Sequence, residues 1–392
     1  MNRLPKALDF FAGSGLVTEG LRESFEVLWA NDICAKKCAV YRANFGGDHL
    51  LEGSITDVHG TGIPRAELAW ASFPCQDLSL AGNMDGLGTG TRSGLFWEWV
   101  RILGEIAPSA RPPVLCAENV VGFLVSEEGR QFASAHGALR ELGYRSGALV
   151  LDAADFLPQS RPRSFLVAVR ENWPVDQRLV AGAAERHIHP RAVLTAAMAT
   201  RDPAWVWWRL PPLPNRETTL LDVIERHVPT DPPEATRRLL SLLSSLNKEK
   251  LKSVLSLKGY FVGTGYKRVR QEGGVRRQRL EIRFDGLAGC LRTPEGGSSR
   301  QTLVVVNNGQ ISTRLLTVRE AARLMGAPDS FKLPGSYNDG YRAMGDAVAV
   351  PVTRWLARHL LAPLAFPSRA ARSWPTEQAF ALNEPNTFAK AV

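Results

Sequence analysis

Residues 8–21 read LDFFAGSGLVTEGL, and this stretch decides the fold of the chain. The apolar run at its start predicts a buried strand, Gly13 and Gly15 predict a tight turn, and the residues after Gly15 predict a helix. Glycines in such a turn let the backbone approach a ligand, and the helix N-terminus favours polar or anionic groups. We therefore predict a nucleotide-type site here, with a purely structural turn as the alternative because the full dinucleotide fingerprint is absent.

Short apolar runs and helix-like segments alternate up to residue 170, which predicts an α/β fold with a mainly parallel sheet. The predicted strands cover residues 7–11, 26–30, 68–73, 114–118, 148–151 and 164–169. A short link joins the last two strands, so we expect them to form an antiparallel pair. Prolines between residues 172 and 215 indicate a domain boundary.

The C-terminal half contains three predicted helices. One covers residues 234–255, one begins at the capping box of Thr317 and ends at Gly326, and one covers residues 347–361. From about residue 363, prolines, serines and scattered charges predict a mobile tail.

The composition of the 392-residue chain predicts either one large domain with an appendage or two domains. Its 44% hydrophobic and 22% charged residues are typical of globular proteins and exclude wholesale disorder. Five cysteines without regular spacing argue against a disulfide scaffold and favour a reducing compartment. Because we find no secretory signal and no bilayer-spanning apolar run, we expect a soluble intracellular protein.

Positive charge is concentrated in one segment of the chain. The net charge is +9, and residues 248–300 hold thirteen Lys and Arg against five acids, together with Tyr260, Phe261 and Tyr266. Such a mixture suits contacts to phosphates and bases. The charge count alone fits a nucleic-acid interface and a solvated basic face equally well.

Asp32 and Cys75 each follow a predicted strand, at the sheet edge where ligand sites of open α/β folds collect. Asp32 lies 17 residues after Gly15, about where a ribose-binding carboxylate is expected. Cys75 stands in the block FPCQ, before a glycine-rich segment in which Ser79 and Arg92 are suited to meet phosphates. A buried, inert cysteine is the alternative.

Glu118 and two arginines are predicted to converge on the same edge. Glu118 ends an apolar strand, so burial is expected to raise its pKa, with a helix cap as the alternative. Arg161 and Arg163 lie just before the last strand. These blocks contain no histidine, which weighs against a Cys–His hydrolase, and the cysteine spacing matches no zinc pattern, so no metal site is predicted.

Six blocks of the sequence, in this order, resemble those of the DNA (cytosine-5) methyltransferases. They read DFFAGSG from Asp9, FPCQ from Phe73, ENV from Glu118, QSRPR from Gln159, RLLTVREAARLMG from Arg314 and MGDAV from Met344. The resemblance implies a Rossmann-like S-adenosylmethionine-dependent methyltransferase domain, with a mostly parallel sheet and an antiparallel edge hairpin, plus a smaller basic target-recognition domain. Residues 1–190 and 310–392 would form the catalytic domain, and residues 191–309 the recognition domain.

For the catalytic residues, the resemblance implies that Cys75 attacks C6 of a cytosine in double-stranded DNA. Glu118 is expected to hydrogen-bond the N3 and amino group of the ring, Arg163 to bind the O2 edge, and Arg161 to support the loop. S-Adenosyl-L-methionine is the implied methyl donor, and the target base must be flipped out of the duplex.

The cofactor residues implied by the resemblance surround the glycine turn and the following strand ends. They are Phe11, Ala12, Gly13, Ser14, Gly15, Leu16, Asp32, Ile33, Ser54, Ile55, Pro74, Leu95, Asp346 and Val348. Ser54 stands where the family usually has an Asp, and Asp346 follows Gly345 where the family usually has an Asn. Ser54 is expected to weaken cofactor binding, because a neutral hydroxyl replaces a carboxylate. Asp346 cannot donate as an amide does, but it can still accept from the cofactor or its amine.

The residues expected to contact DNA lie after Cys75 and in the basic segment. They are Gln76, Ser79, Arg92, Arg268, Arg270, Arg276, Arg277, Arg279 and Arg300. The resemblance further implies a bacterial, cytoplasmic protein, with a restriction endonuclease or defence-system proteins as partners. A monomer is the default expectation. The RLLTVRE block is expected to pack the domains together and to perform no chemistry.

Three other functions account for parts of the sequence. A transfer-RNA cytosine-5 methyltransferase of the same family would not need the long basic insert. A non-catalytic DNA-binding relative would tolerate Ser54 and Asp346, but it would not need Cys75, Glu118 and Arg163. A nucleotide-dependent dehydrogenase would not explain the block FPCQ.

Overall fold

The computed structural model describes residues 3–74, 94–293 and 300–367, and its largest element is a seven-stranded sheet. The strands are β1 (Lys6–Phe10), β2 (Glu26–Asp32), β3 (Leu50–Glu52), β4 (Leu68–Ala71), β5 (Val114–Val120), β6 (Tyr144–Asp152) and β7 (Pro162–Arg170). Their order is β3-β2-β1-β4-β5-β7-β6. Strands β1 to β5 pair in parallel, whereas β7 is antiparallel to both β5 and β6. The predicted parallel sheet with an antiparallel edge hairpin is confirmed.

Both faces of this sheet are covered, because alternate side chains of a strand point to opposite faces. In β1, Ala7 belongs to one hydrophobic core and Leu8 to another. Trp70 and Ala71 in β4 divide between the same two cores. This burial on both faces explains why β4, which reads LAWA, is a continuous apolar run.

Six helices precede residue 201 in the described ranges, and most of them flank the sheet. They are α1 (Leu16–Leu21), α2 (Ala35–Phe45), α3 (Leu95–Glu105), α4 (Gly122–Val125), α5 (Arg130–Glu141) and α6 (Arg191–Thr200). Helix α6 lies beyond the expected domain boundary at residue 190, yet it packs against α5.

Seven helices follow in the C-terminal half of the described chain. They are α7 (Leu220–Val223), α8 (Pro233–Leu240), α9 (Ser245–Leu255), α10 (Val318–Leu324), α11 (Tyr337–Asp346), α12 (Val350–Leu356) and α13 (Ala362–Ala365). The single helix predicted at 234–255 was wrong, because Ser244 begins a second helix by accepting a hydrogen bond from Asn247 N. The capping box of Thr317 is confirmed.

The last predicted helix also differs in its bounds. Helix α12 begins three residues later than expected, at Val350, and the chain then continues through a π turn over Ala357–Leu361 into α13. Residues 368–392, most of the expected mobile tail, lie outside the described residues.

A second, antiparallel sheet has the strand order β11-β10-β8-β9. Its strands are β8 (Tyr260–Glu272), β9 (Val275–Arg283), β10 (Thr302–Asn307) and β11 (Gln310–Leu315). Because β11 pairs with β10, this sheet extends past the expected boundary at residue 309. Helix α8 contacts β11 and helix α9 contacts β9, and the sheet has a small core of its own.

The hairpin of β8 and β9 extends beyond the rest of the second sheet. Strand β10 pairs with β8 only over residues 260–265, whereas β8 and β9 pair from Thr264 to Glu272. Residues 267–279 therefore form a two-stranded ribbon. None of the helices in the described ranges has the length and apolar character that a bilayer crossing requires.

Candidate active site

A cavity of about 540 Å³ opens at the carboxyl ends of β1, β2, β4 and β5, where parallel sheets commonly bind ligands. Thirteen of the fourteen expected cofactor residues line it: Phe11, Ala12, Gly13, Ser14, Leu16, Asp32, Ile33, Ser54, Ile55, Pro74, Leu95, Asp346 and Val348. Glu118, Arg161 and Arg163 line the same cavity. Cys75, Gln76, Ser79 and Arg92 lie outside the described residues.

The glycine turn forms one wall of the cavity. Phe11, Gly13 and Gly15 all have positive φ angles, of 59°, 57° and 87°. Gly15 is the one expected cofactor residue that does not line the cavity. Glycine is required at this position for steric reasons, because a Cβ there would lie 2.5 Å from the Phe45 ring. Glycine at this position thus lets the turn pack closely against α2.

Asp32 is held at the end of β2 by two backbone N–H groups. Gly13 N donates to Oδ2 at 2.9 Å, and Cys34 N donates to Oδ1 at 2.8 Å. Each carboxylate oxygen has two lone pairs, so both can accept a further hydrogen bond. The arrangement is suited to a vicinal diol such as that of a ribose.

An apolar side of the cavity lies beside Asp32. The side chain of Ile33 lines the cavity with 71% of its surface exposed, and the buried Ile55 lies on the same wall. An exposed isoleucine in a cavity offers surface for a flat, apolar ligand group. The hydroxyl of Ser54 lies 2.7 Å from that of Thr56 and caps the short 3-10 helix Ile55–Asp57.

Glu118 and Arg163 form an ion pair at the end of β5. Arg163 Nε lies 3.1 Å from Glu118 Oε1, and both side chains are largely buried. Burial raises the pKa of Glu118 above its ordinary value, although Arg163 and Arg161 act in the opposite direction. The site therefore holds a carboxyl group that can donate or accept a proton, beside a fixed cation.

Arg161 is only 2% exposed and serves to connect three segments. Its guanidinium donates to the carbonyl oxygens of Leu291 at 2.9 Å, Gly345 at 2.8 Å and Ala347 at 2.6 Å. The Arg161 side chain thereby joins the start of β7 to the segment after β9 and to the end of α11. These contacts make it a positioning residue.

Among the residues in or near the cavity that were not predicted as site residues, three make contacts that bear on the site. The side chain of Asn119 donates to the carbonyl oxygen of Phe73 at 3.1 Å, which fixes the backbone two residues before Cys75. Lys37 lines the cavity and forms an ion pair with Asp346. Cys290 contacts Arg161 at 3.3 Å, and although burial acts to raise the pKa of its thiol, the neighbouring arginines lower it.

Only Asn119 had a signal in the sequence, because it lies inside the block ENV. Lys37 and Cys290 belong to no block, and their contacts join segments far apart in the chain. Within the described residues, no group of three or more His, Cys, Asp or Glu side chains is arranged to hold a metal ion.

A Ser–His–Asp arrangement elsewhere in the molecule is structural. Ser146 Oγ lies 2.7 Å from His136 Nδ1, and His136 Nε2 lies 2.8 Å from Asp202 Oδ2. Ser146 is fully buried and His136 is 1% exposed, so the hydroxyl is closed to substrates. These bonds join α5, β6 and the segment after α6.

The expected DNA-binding arginines differ in their surroundings. On the ribbon, Arg268 and Arg270 form ion pairs with Glu281, and Arg279 forms one with Glu272. Among the described residues no ion-pair partner is found for Arg276 and Arg277, which are exposed near the hairpin turn.

Arg300 lies away from the ribbon. Its guanidinium is placed 5.5 Å from the ring centroid of Tyr337 and donates to the side chain of Asn338. Arg300 thus contacts α11.

Comparisons with known proteins agree on one family. A family model described as C-5 cytosine-specific DNA methylase matches residues 6–362. The type II methyltransferase M.MspI of Moraxella sp. is 27% identical over 361 residues, covering 91% of this chain and 70% of that protein. The type II methyltransferase M.HhaI of Haemophilus parahaemolyticus is 28% identical over 362 residues, covering 92% of this chain and 95% of that protein.

Solved structures share the fold at lower sequence identity. The S. pombe Dnmt2 methyltransferase superposes with a TM-score of 0.56 at 17% identity, covering 92% of this chain and 100% of that one. A Spodoptera frugiperda DNMT2 mutant gives a TM-score of 0.59 at 20% identity, covering 90% of this chain and 98% of that one.

Proposed function

The chain belongs to the C-5 cytosine-specific DNA methylases and is a DNA cytosine-5 methyltransferase, and from this premise we propose its mechanism, cofactor and substrate. It transfers a methyl group from S-adenosyl-L-methionine to C5 of a flipped-out cytosine in a specific double-stranded DNA sequence. The observation that carries the proposal is the single cavity that holds Asp32 and the glycine turn together with Glu118 and Arg163.

The cofactor half of the cavity fits an adenosine-bearing ligand. Asp32 accepts from the ribose hydroxyls, because both of its oxygens are oriented by backbone N–H groups and retain lone pairs. Ile33 and Ile55 contact the adenine. The exposure of the Ile33 side chain in the cavity supports this assignment. When bound, the cofactor supplies an electrophilic methyl group.

The catalytic half of the cavity binds the cytosine. Cys75, which follows the cavity residue Pro74, forms a bond from Sγ to C6, and the electrons of the C5–C6 double bond shift toward C5 and the ring. Glu118 donates to N3 and accepts from the amino group, while Arg163 donates to O2. Once C5 carries the methyl group, a base removes the C5 proton and the Sγ–C6 bond breaks, which restores the double bond and the thiolate.

Arg161 acts in this mechanism as a positioning residue. It holds the segments at Leu291 and at Gly345 against the start of β7, which carries Arg163. Base flipping is required because C6 of a stacked cytosine is out of reach of a side chain.

The second sheet, with α8 and α9, forms the recognition lobe, and the first sheet with the C-terminal helices forms the catalytic lobe. The ribbon supports this proposal, since a two-stranded β-ribbon fits the major groove of DNA. Arg276 and Arg277 are the best candidates on the ribbon for DNA contact, because the neighbouring arginines already form ion pairs with glutamates. Gln76, Ser79 and Arg92 are proposed to contact DNA from the catalytic lobe.

We further propose that the protein works in the cytoplasm of a bacterium as a monomer, beside a partner restriction endonuclease. The support for a bacterial restriction-modification setting is that relatives are type II methyltransferases of Moraxella and Haemophilus.

The test is covalent trapping on DNA that contains 5-fluorocytosine, since fluorine at C5 does not leave as a proton does. Duplexes amplified from bacterial genomic DNA contain every short recognition sequence, so the unknown site is present. Wild type and Cys75→Ala are incubated with S-adenosyl-L-methionine and the DNA, and adducts are resolved on a denaturing gel. We expect an adduct with wild type and none with Cys75→Ala.

Cys290→Ala is the matched control, because the Cys290 thiol lies 3.9 Å from Arg163 Nη2 and is the rival nucleophile. The Cys290→Ala variant should still form the covalent adduct with the DNA. An adduct that persists in Cys75→Ala would overturn the proposed nucleophile. Trapping on fluorocytosine RNA alone would favour the transfer-RNA substrate, and DNA binding without any adduct would favour the non-catalytic relative.

A further inference from the structure

Lys37 in α2 and Asp346 in α11 form an ion pair in the wall of the cavity. Lys37 Nζ lies 2.6 Å from Asp346 Oδ2, with the two side chains 19% and 36% exposed. The lysine stem passes close to the glycine turn, because a Cβ on Gly13 would lie 3.9 Å from Lys37 Cδ. The pair therefore borders the same ligand space as Gly13 and Ser14.

Lys37 stays cationic in this position. Burial disfavours its charged form, but Asp346 and Asp32 together raise the pKa of the ammonium above its ordinary value. Asp346 is its single ion-pair partner in the described part of the chain. Since an ammonium has three N–H donors, Lys37 can donate to a ligand while it remains paired.

The other charged residues that line the described part of the cavity already have defined contacts. Glu118 and Arg163 pair with each other, and Arg161 is occupied by backbone carbonyls. Asp32 is oriented for the ribose. Next to the glycine turn, the described lining of the cavity thus presents one ammonium and one carboxylate side by side, those of Lys37 and Asp346.

We propose that this pair binds the amino-acid end of the cofactor, with Lys37 donating to the α-carboxylate and Asp346 accepting from the α-ammonium. An α-amino acid carries opposite charges on neighbouring atoms, which an adjacent ammonium and carboxylate complement. The inference rests on the proposed cofactor. It also explains how the chain tolerates Asp346 where the family usually has an amide: Lys37 offsets the repulsion between Asp346 and the ligand carboxylate.

The test compares two ligands that differ only in the carboxylate, namely S-adenosylhomocysteine and its decarboxylated analogue. Dissociation constants are measured by calorimetry for the full-length wild type and for Lys37→Met. Because the lost contact is a hydrogen bond to a charged group, wild type should prefer the carboxylated ligand by about 10- to 150-fold. Lys37→Met should lose most of this preference, while its affinity for the decarboxylated ligand changes little.

Lys36→Met is the matched control. Lys36 also joins α2 to α11, through a 2.7 Å ion pair with Asp339, but it does not line the cavity. It should keep the wild-type preference. Adding Asp346→Asn to Lys37→Met should recover part of the lost affinity for S-adenosylhomocysteine, because the uncompensated carboxylate is removed.

Two outcomes would overturn the inference. A preference that survives in Lys37→Met would show that the ion pair only joins the helices, and it would leave the proposed cofactor intact. Failure of the wild type to bind either ligand would overturn the proposed cofactor and the inference with it.

Discussion

The side-chain amide of Asn119 donates a buried 3.1 Å hydrogen bond to the carbonyl oxygen of Phe73. The bond joins the end of β5 to the backbone two residues before Cys75, so the strand that carries Glu118 also holds Phe73 in place. Asn119 Oδ1 accepts from Val120 N, which holds the amide in this orientation.

We expect Asn119→Asp to slow methylation about tenfold or more, because misplacing a reacting group by a fraction of an ångström raises the barrier. The dissociation constant of S-adenosylhomocysteine should stay the same, because Asn119 makes its contact on the catalytic side. Single-turnover rates and calorimetry check the two parts. Asn44→Asp is the control, since Asn44 donates a similar bond to Lys332 O outside the cavity.

Glu118→Gln should lower the rate by about 100-fold and change its pH profile. Burial raises the pKa of Glu118, so its protonated form, which donates to N3, persists to higher pH than in an exposed glutamate and is lost above that pKa. The wild-type rate should therefore fall on the alkaline side, and the neutral glutamine should remove this fall. An alkaline limb that persists in the variant would show that Glu118 does not titrate in catalysis.

Arg276→Ala and Arg277→Ala should weaken DNA binding on all sequences if these side chains contact phosphates. Each lost phosphate contact should reduce the slope of log affinity against log salt by about 0.9. Arg268→Ala, whose side chain is paired with Glu281, should have a smaller effect. Slopes equal to wild type in both single variants would place the DNA interface away from the ribbon, and relaxed sequence preference would indicate a base contact.

Asp9→Asn should stabilise the protein at alkaline pH. Burial raises the pKa of Asp9 to about 7. Thr18 Oγ1 donates a hydrogen bond to Asp9 Oδ2, whereas Asp9 Oδ1 has no hydrogen-bond partner among the described residues. Because this folded-state pKa lies above the ordinary value, the stability from the neutral form is present in acid and is lost as the pH rises through about 7. The variant avoids this loss.

Thermal unfolding of both proteins between pH 5 and pH 8.5 checks this prediction. The advantage of Asp9→Asn should grow by about 2 kcal/mol over that range. A difference for Asp9→Asn that does not grow with pH would contradict the raised pKa.

Arg314→Ala should destabilise the fold by about 3–5 kcal/mol, because it leaves the buried Glu320 carboxylate without its charged partner. Arg314 donates to both oxygens of Glu320, at 2.7 and 2.6 Å, and both side chains are nearly inaccessible. Arg323→Ala removes an exposed pair with Asp329 and should cost less than about 1 kcal/mol. Denaturant unfolding of the two variants checks the contrast, and equal losses would contradict it.

Local patterns were enough to predict the main elements of the fold. The glycine turn after β1, the parallel strands and the capping box at Thr317 all depend on residues close together in the sequence. The helix predicted over 234–255 was wrong because an apolar pattern does not show that Ser244 restarts the helix with its own side chain.

The sequence by itself determined the family, the sheet and which blocks would border a ligand, because strand ends, turns and motifs are short-range features. Only the tertiary structure decided which charges meet. Lys37 and Asp346 are 309 residues apart in the sequence, and Arg161 joins segments from three parts of the chain. Strand register likewise decided that Glu281 pairs with Arg268 and Arg270. Charge interactions fall off with distance in space, and separation along the chain does not reveal that distance.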